Sequence, residues 1–519
     1  MITRCGRRIE IAHVAIDVIG AVLAQVFFDT VPAAGITAAF GRGVTREEEG
    51  EQHPLSLAGT EGAGRSGRRA SVSASGGPTG VSADFAVERV NGGDAGMRGA
   101  RHGLGLVWLC GCAVDVPLDD APDQRPDETA YVRGEHTDGE AEEGLCLLQV
   151  ACPSELSDSV EAACAIAVTD GSGWLDHQGP ASMRLRGRSS VGFPKPQIAV
   201  ELVGEQGADL AVNLLGMGAD ADWVLNGAYI DRALIRNHLA YRLFAELGGA
   251  ERYAPESRAC TLEYNGSPFG VYFLVERVKA DDDRVDIPED ADGASFVVKL
   301  DDEAGLLDNS SIGYGTWQLV SPPSPTSAQE AGVYAALYAW QEATLGAAAG
   351  AIGRHLDLES AADFVLLQEL LRNNDAYYLS IYLWKSPSSK LRFTPWDLDL
   401  TLGQPTYNDN HNPEGWVAYR PLMISRLADV PGFRQTLAER WRTLRTDDWS
   451  DEALINRIAA HRELLGPELA ANFEIWDWGE IYSYWPSLPE VDGPEAEYAR
   501  IMEWLPIRTA WIDAHIDSW

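Results

Sequence analysis

The sequence predicts an α+β protein with strands concentrated early and helices late, and three observations predict it. Short apolar runs separated by turn residues fill the first globular part, at 163–169, 197–202 and a hairpin of 259–264 and 271–275 joined by Asn265-Gly266. Apolar residues recur at helical spacing in 331–349, 357–372, 433–444 and 451–464. Between them a second hairpin, 381–385 and 390–393, is bracketed by acidic residues.

At 519 residues the chain exceeds one ordinary core, so an extension or a further domain is expected. Its formal charge of −37 repels a phosphate polymer and excludes nucleic acid as the expected partner. No run reaches the roughly 18 apolar residues of a membrane-spanning helix.

Residues 1–96 hold Gly-, Ser- and Arg-rich runs without a sustained period, and read as a disordered or mis-assigned extension. Residues 97–112 have the order of a secretory signal: Arg98 and Arg101, an apolar run at 103–109, then Leu109-Cys110-Gly111-Cys112. That ending resembles the lipobox of bacterial lipoproteins, with Cys112 as the acylated residue. Residues 113–144 form an acidic, Pro-containing linker and 145–519 the folded domain. Cys146, Cys152 and Cys164 fall in one short region, where an oxidising compartment allows a pairing among them. No Cys/His spacing suits structural zinc.

Arg184, Arg186 and Arg188 alternate at strand spacing and, with Lys195, make a basic cluster in an acidic protein. Gly187 allows close approach of a ligand. A phosphate cradle and a cluster neutralised by neighbouring acids fit equally well. Asp231 is placed to cap a helix with Ile235, Leu239, Leu243 and Leu247 on one face, stopped by Gly248. Arg236 and Asn237 lie within it, positioned to reach a neighbouring loop or to brace the fold. Lys299 sits inside an apolar strand, 294–301; such a lysine is either exposed or paired with Glu276 and with phosphate oxygens. The polar loop 404–416 is a candidate lid or substrate platform. Trp476, Trp478, Trp485, Trp504, Trp511 and Trp519 suit helical packing better than a sugar-binding stripe.

The acidic hairpin carries the chemistry. Asp375 follows an apolar run, and the second strand delivers Pro395-Trp396-Asp397-Leu398-Asp399. Residues two apart share a strand face, so the pair at 397 and 399 and the residue at 375 are expected at one sheet end. Carboxylates among bulky apolar neighbours are costly without a partner or a metal. A base Asp, a short hairpin and a metal-holding Asp is the layout of phosphoryl-transfer enzymes.

The stretches RLRGRSSVGFPKP, WVLNGAYIDRALIRNHLAYRLFAELG, NGSPFGVYFLVERV, FVVKLDDE, NNDAYYLSIYLWK, FTPWDLDLTLG and ISRLADVPGFRQTLAERWRTLR together resemble the CotH family of atypical, spore-coat-type protein kinases. The resemblance implies a minimal kinase-like fold, a β-rich N-terminal lobe and a helical C-terminal lobe, that moves the ATP γ-phosphoryl group to Ser/Thr of a protein. Asp375 falls at the catalytic Asp, Asp397 at the metal-binding Asp with Asp399 beside it, and Lys299 at the nucleotide-contacting Lys, helped by Arg186, Lys195 and Glu276. The kinase pattern has Asn five residues after its catalytic Asp, as a second ligand for Mg²⁺ or Mn²⁺. Here that position is Ser380, whose reach is shorter.

Two functions follow: an exported, lipid-anchored, monomeric Ser/Thr kinase, or a catalytically impaired surface module binding a protein or nucleotide. Ser380 and the scarcity of ATP outside the cytoplasm favour the second. If the signal reading holds, intact mass and N-terminal sequencing of the mature protein will find an acylated Cys112 and no peptide from before Met97. An intact upstream peptide contradicts it.

Overall fold

The computed structural model describes residues 144–404, 411–477, 479 and 491–519. The expectations for 1–96, for the signal at 97–112 with Cys112, for 113–143 of the linker, for 405–410 of the polar loop, and for Trp478 and Trp485 lie outside the described residues.

The first part is built of strands β1 (Cys146–Ala151), β2 (Ala162–Thr169), β3 (Leu175–Arg186) and β4 (Gln197–Leu202), then a small ladder of β5 (Val212–Asn213) and β6 (Ala219–Asp220). Next come β7 (Asp222–Asn226), β8 (Ser257–Tyr264) and β9 (Ser267–Glu276). Seven of these close into a barrel in the order β1-β2-β3-β4-β7-β9-β8. Alternation explains the closure: Leu148 and Val150, Ile166 and Val168, Ala181 and Met183, Ile198 and Val200 point into one core. Asn265 and Gly266, at φ of 50° and 74°, make the tight β8–β9 turn their sequence predicts.

All barrel neighbours are antiparallel except β1 and β8, whose parallel seam sets Cys146 opposite Cys260. Those two cysteines are disulfide-bonded, and a second bridge joins Cys152 to Cys164. The expected pairing in the 146–164 region is therefore present, but Cys146 takes a partner 114 residues away. Only barrel closure brings that partner near.

A second sheet, ordered β11-β12-β10-β13-β14, contains β10 (Phe296–Asp301), β11 (Leu307–Asp308), β12 (Thr316–Ser321), β13 (Ile381–Lys385) and β14 (Arg392–Thr394). Its Phe296, Val298 and Leu300 pack into the large helical core. Lys299 lies on the opposite face, level with Tyr382 of β13.

Among the described residues the α-helices are α1 (Arg236–Ala245), α2 (Ser327–Leu345), α3 (Leu358–Leu371), α4 (Leu422–Ser425), α5 (Phe433–Arg445), α6 (Asp451–Leu465), α7 (Glu468–Ile475) and α8 (Gly493–His515). Thr326 and Gln329 form a capping box on α2, and the Asp357 carboxylate caps α3. Helix α1 begins four residues later than the sequence predicts, with Ile235 rather than Asp231 at the N-cap position. The Asp231 carboxylate is spent on a preceding turn, accepting from the amides of Ala233, Ile235 and Arg236. Among the described residues no helix is long and apolar enough to cross a membrane.

The α+β expectation, β-rich then helical, holds at that level. Its β part is a closed barrel plus a separate sheet, a division that alternation within single strands does not reveal.

The longer bridge closes the larger loop and is expected to stabilise more. Cys146→Ser with Cys260→Ser should cost about 2–5 kcal/mol, and the Cys152/Cys164 pair less, because the denatured chain regains more freedom when a long loop opens. Urea unfolding of the two double variants measures this. Equal losses would show that the seam does not depend on its bridge.

Candidate active site

Helix α3 is stopped by Arg372 in the left-handed region, and the chain folds into a tight loop. There the Asp375 amide donates to Asn373 Oδ1 at 3.1 Å and the Tyr378 amide to the Asp375 carbonyl at 3.1 Å. The Ser380 amide then donates to the Leu300 carbonyl at 2.9 Å, docking the loop beside the end of β10. The hairpin turn between β13 and β14 is closed by Ser386 and Ser389.

After Thr394 the chain leaves the sheet. Asp397 has φ of 65°, so Asp397 and Asp399 do not share a strand face as their spacing predicts. Helix α1 holds this segment in place. Asn237 Oδ1 accepts the Leu398 amide at 2.6 Å, and the Tyr241 hydroxyl oxygen accepts the Asp397 amide at 3.4 Å. Residues 237 and 241 are one helical turn apart on one face, so consecutive amides meet consecutive acceptors. Asn237 thus reaches the neighbouring loop, as its place in the helix allowed.

Ser380 Oγ donates to Asp397 Oδ2 at 3.2 Å. Asp375 lies near enough that burial, and then the Asp397 charge, raise its pKa to about 7. Burial raises Asp399 far above the carboxylate range, with Asp397, Asp375 and Asp231 adding to it and Arg236 opposing. Three carboxyl groups thus repel one another in a partly buried space, which favours cation binding.

Two cations share the site. Lys299 is hydrogen-bonded to Asp301; burial works against its ammonium, yet Tyr382, Asp301 and Asp397 outweigh that and raise its pKa. Arg186 reaches Gln197 Oε1 at 2.8 Å and lies 5.5 Å over the Trp396 ring. Burial lowers its pKa, while Tyr382 and Asp397 stabilise its charge. The structure therefore gathers Asp375, Ser380, Asp397, Asp399, Lys299 and Arg186.

Lys195 and Glu276 are placed elsewhere. The Lys195 ammonium is buried against the Val271 carbonyl and Asn472 Oδ1, and burial holds its pKa well below the lysine range. It ties the β3–β4 connection to β9 and α7 rather than reaching toward Asp397. Glu276 does not pair with Lys299. It accepts from Arg284 at 2.8 Å, the Tyr253 hydroxyl at 3.1 Å and the Glu256 amide at 2.9 Å, while burial raises its pKa to about 7. The arginine triplet is also split: β3 ends at Arg186, Arg184 faces Glu161 at 3.9 Å, and Arg188 pairs with Asp302.

Among the described residues no three His, Cys, Asp or Glu side chains form a ready metal cage. Mg²⁺ commonly takes only one or two protein carboxylates, completing its shell with phosphate oxygens and water. The exposed Asp397 carboxylate and the Ser380 hydroxyl bonded to it are hard oxygen donors of that kind, and the repelling carboxyls beside them fit a divalent ion. Sequence reasoning missed Tyr241 and Asp301. The spacing of Tyr241 one turn after Asn237 was the available signal for the first.

A family model described as CotH kinase protein matches residues 183–512. No curated protein matches the chain. The match spans α1, the second sheet and both acidic segments, and omits β1 and β2.

The raised Asp375 pKa carries a sign. Its ionisation is disfavoured in the folded state, so its contribution to stability is full below about pH 4 and is lost as pH rises through about 7. In chelator-treated protein Asp375→Asn should therefore be more stable than the parent above pH 7, by roughly 1–2 kcal/mol after allowing for partial exposure, with the gain vanishing near pH 4. Chemical denaturation across that range tests it; a pH-independent difference contradicts the assignment.

Proposed function

Since this chain belongs to the CotH kinase family, we propose that it transfers the γ-phosphoryl group of ATP to Ser/Thr hydroxyls of a protein acceptor, using Mg²⁺ or Mn²⁺. One observation carries the reading. Asp375, Ser380, Asp397 and Lys299, drawn from the loop after α3, the approach to β13, the segment after β14 and β10, meet at one end of the second sheet.

The roles follow from charge and position. Asp397 and Ser380 are the residues that hold the divalent ion, which when bound neutralises charge on the phosphates. Lys299, raised in pKa and therefore cationic, neutralises phosphate oxygens from inside the sheet, and Arg186 adds a second charge from the end of β3. Asp375 orients the acceptor hydroxyl and takes its proton. Its pKa of about 7 suits a general base operating near neutrality. Phosphoryl transfer asks chiefly for positioning and electrostatics, and the hydrogen bonds on both acidic segments supply the positioning.

The same reading makes the protein an exported monomer anchored through Cys112 and not a nucleic-acid binder. The two disulfides support export, because such bridges persist in oxidising compartments. A second reading keeps the fold and drops the turnover. Ser380, a shorter ligand than the Asn of the kinase pattern, favours a nucleotide- or protein-binding module.

Labelled ATP, Mg²⁺ or Mn²⁺ and a generic protein acceptor separate the two readings. Transfer is expected, with Asp375→Asn and Asp397→Ala each lowering kcat by about 10²–10⁴. Lys299→Met is expected to raise KM for ATP. Transfer that survives Asp397→Ala contradicts the role assignment, and nucleotide-dependent thermal stabilisation without turnover supports the second reading.

A further inference from the structure

Three tyrosines that the proposed chemistry does not use stand at the same sheet end. Tyr378, three residues after Asp375, stacks on Tyr314 with ring centroids 4.3 Å apart and 17° between planes. Tyr419 meets the edge or face of Tyr378 at 5.7 Å and 79°. Tyr314 is 38% exposed, and it is held by its backbone rather than by burial. Asn309 Nδ2 donates to its carbonyl at 3.1 Å, and the Asn309 amide donates to the Gly315 carbonyl at 2.9 Å. Gly315, at φ of 72°, sits so close to the Asp301 carbonyl that a Cβ would lie 2.3 Å from that oxygen. The turn presenting Tyr314 is thus fixed against the strand that carries Lys299.

Position decides what this ring cluster faces. Lys299 lies two residue pairs inward from Asp301 and Thr316, whereas Ser380 and Tyr314 lie just beyond the strand ends. Phosphates drawn toward Lys299 and Asp397 leave the space on the Asp375 side for the group that receives the phosphoryl. Tyr378 belongs to the Asp375 loop itself. The Arg188–Asp302 ion pair stands near it, close enough for Arg188 to favour ionisation of Tyr378. Burial and the neighbouring tyrosines nevertheless push the Tyr378 hydroxyl upward, and burial does the same at Tyr419, so both present neutral flat rings beside Tyr314.

Resting on the kinase reading, we propose that Tyr314, Tyr378 and Tyr419 form an acceptor-docking subsite that takes an aromatic or prolyl ring next to the Ser/Thr hydroxyl. A rigid, partly exposed phenol face stacks on such a ring at little entropic cost, because tyrosine has few rotatable bonds to freeze. Stacking fixes the acceptor backbone relative to Asp375, and that places the hydroxyl.

The test uses the whole chain with Mg²⁺-ATP and a Ser/Thr peptide library varied at flanking positions. The parent is expected to favour Phe, Tyr, Trp or Pro within two residues of the acceptor. Tyr314→Ala should lower kcat/KM for a ring-bearing peptide about tenfold through KM, leave KM for ATP unchanged, and keep its melting temperature. Tyr314→Trp, which restores a flat face, should recover the preference. No ring preference in the parent, or a rise in KM for ATP in Tyr314→Ala, overturns the subsite; the latter would make it a nucleobase shelf. A parent that transfers phosphate to no peptide or protein fails at the kinase reading itself, before any question of preference.

Discussion

A buried ion cluster beneath the second acidic segment is the constraint on which the site depends. Arg236 bonds to Asp231, to Glu497 Oε1 at 2.5 Å and, through Nε, to the Thr401 carbonyl at 2.8 Å. Arg232 shares Glu497 at 3.1 Å, and Arg500 holds the Leu402 and Gly403 carbonyls at 3.0 Å. Although Glu497 is buried, Arg500, Arg236 and Arg232 keep its carboxyl far below the carboxylate range. Losing one member of such a cluster typically costs about 3–5 kcal/mol, because a charge is left buried alone. The cluster pins 401–403 from below while Asn237 and Tyr241 hold 397–398 from the side. Asp397 therefore keeps a left-handed backbone that an unsupported aspartate adopts less readily.

Charge is distributed unevenly on the two sides of that segment. Toward α8, carboxylates and guanidiniums are matched. Toward the second sheet, Asp397 faces Lys299 and Arg186, while burial first, and then the charges of neighbouring carboxylates, raise the pKa of Asp375 and Asp399. Like charges held together by hydrogen bonds to the backbone of both acidic segments are the expected signature of a site built for a cation rather than for stability.

Much of this was legible in the sequence, and the part that was not has physical reasons. Periodicity located β4, α5 and α6 to within a residue or two, since each buries one regular face, and continuous apolar runs located β13 and α3, which are buried nearly all round. Asn265-Gly266 announced its turn because few residues tolerate that backbone. The acidic segments stood out because carboxylates among bulky apolar residues demand an explanation. What failed depended on distance in space. Glu276 finds Arg284 through the loop after β9, Lys195 finds Val271 and Asn472 on β9 and α7, and Cys146 finds Cys260 through barrel closure, and no local pattern encodes these pairings. Asp397 and Asp399 obeyed no strand alternation because β14 is only three residues long. The tyrosine cluster joins residues 314, 378 and 419, which no spacing links. The family resemblance supplied roles for Asp375 and Asp397 that composition alone does not give.

Barrel strands β1 and β2 lie outside the family match, yet β1 closes the barrel against β8 and carries one half of the long bridge. They extend the matched region, and they complete the wall whose strand β3 delivers Arg186.

The claim that everything turns on is that Asp397, with Ser380, grips a nucleotide-bound divalent ion. Electron paramagnetic resonance of Mn²⁺ titrated into the protein with ATP tests it most directly. The account predicts a bound Mn²⁺ signal with phosphorus coupling that needs ATP and is lost in Asp397→Asn. A Mn²⁺ signal that is the same without ATP, or unchanged in Asp397→Asn, contradicts it.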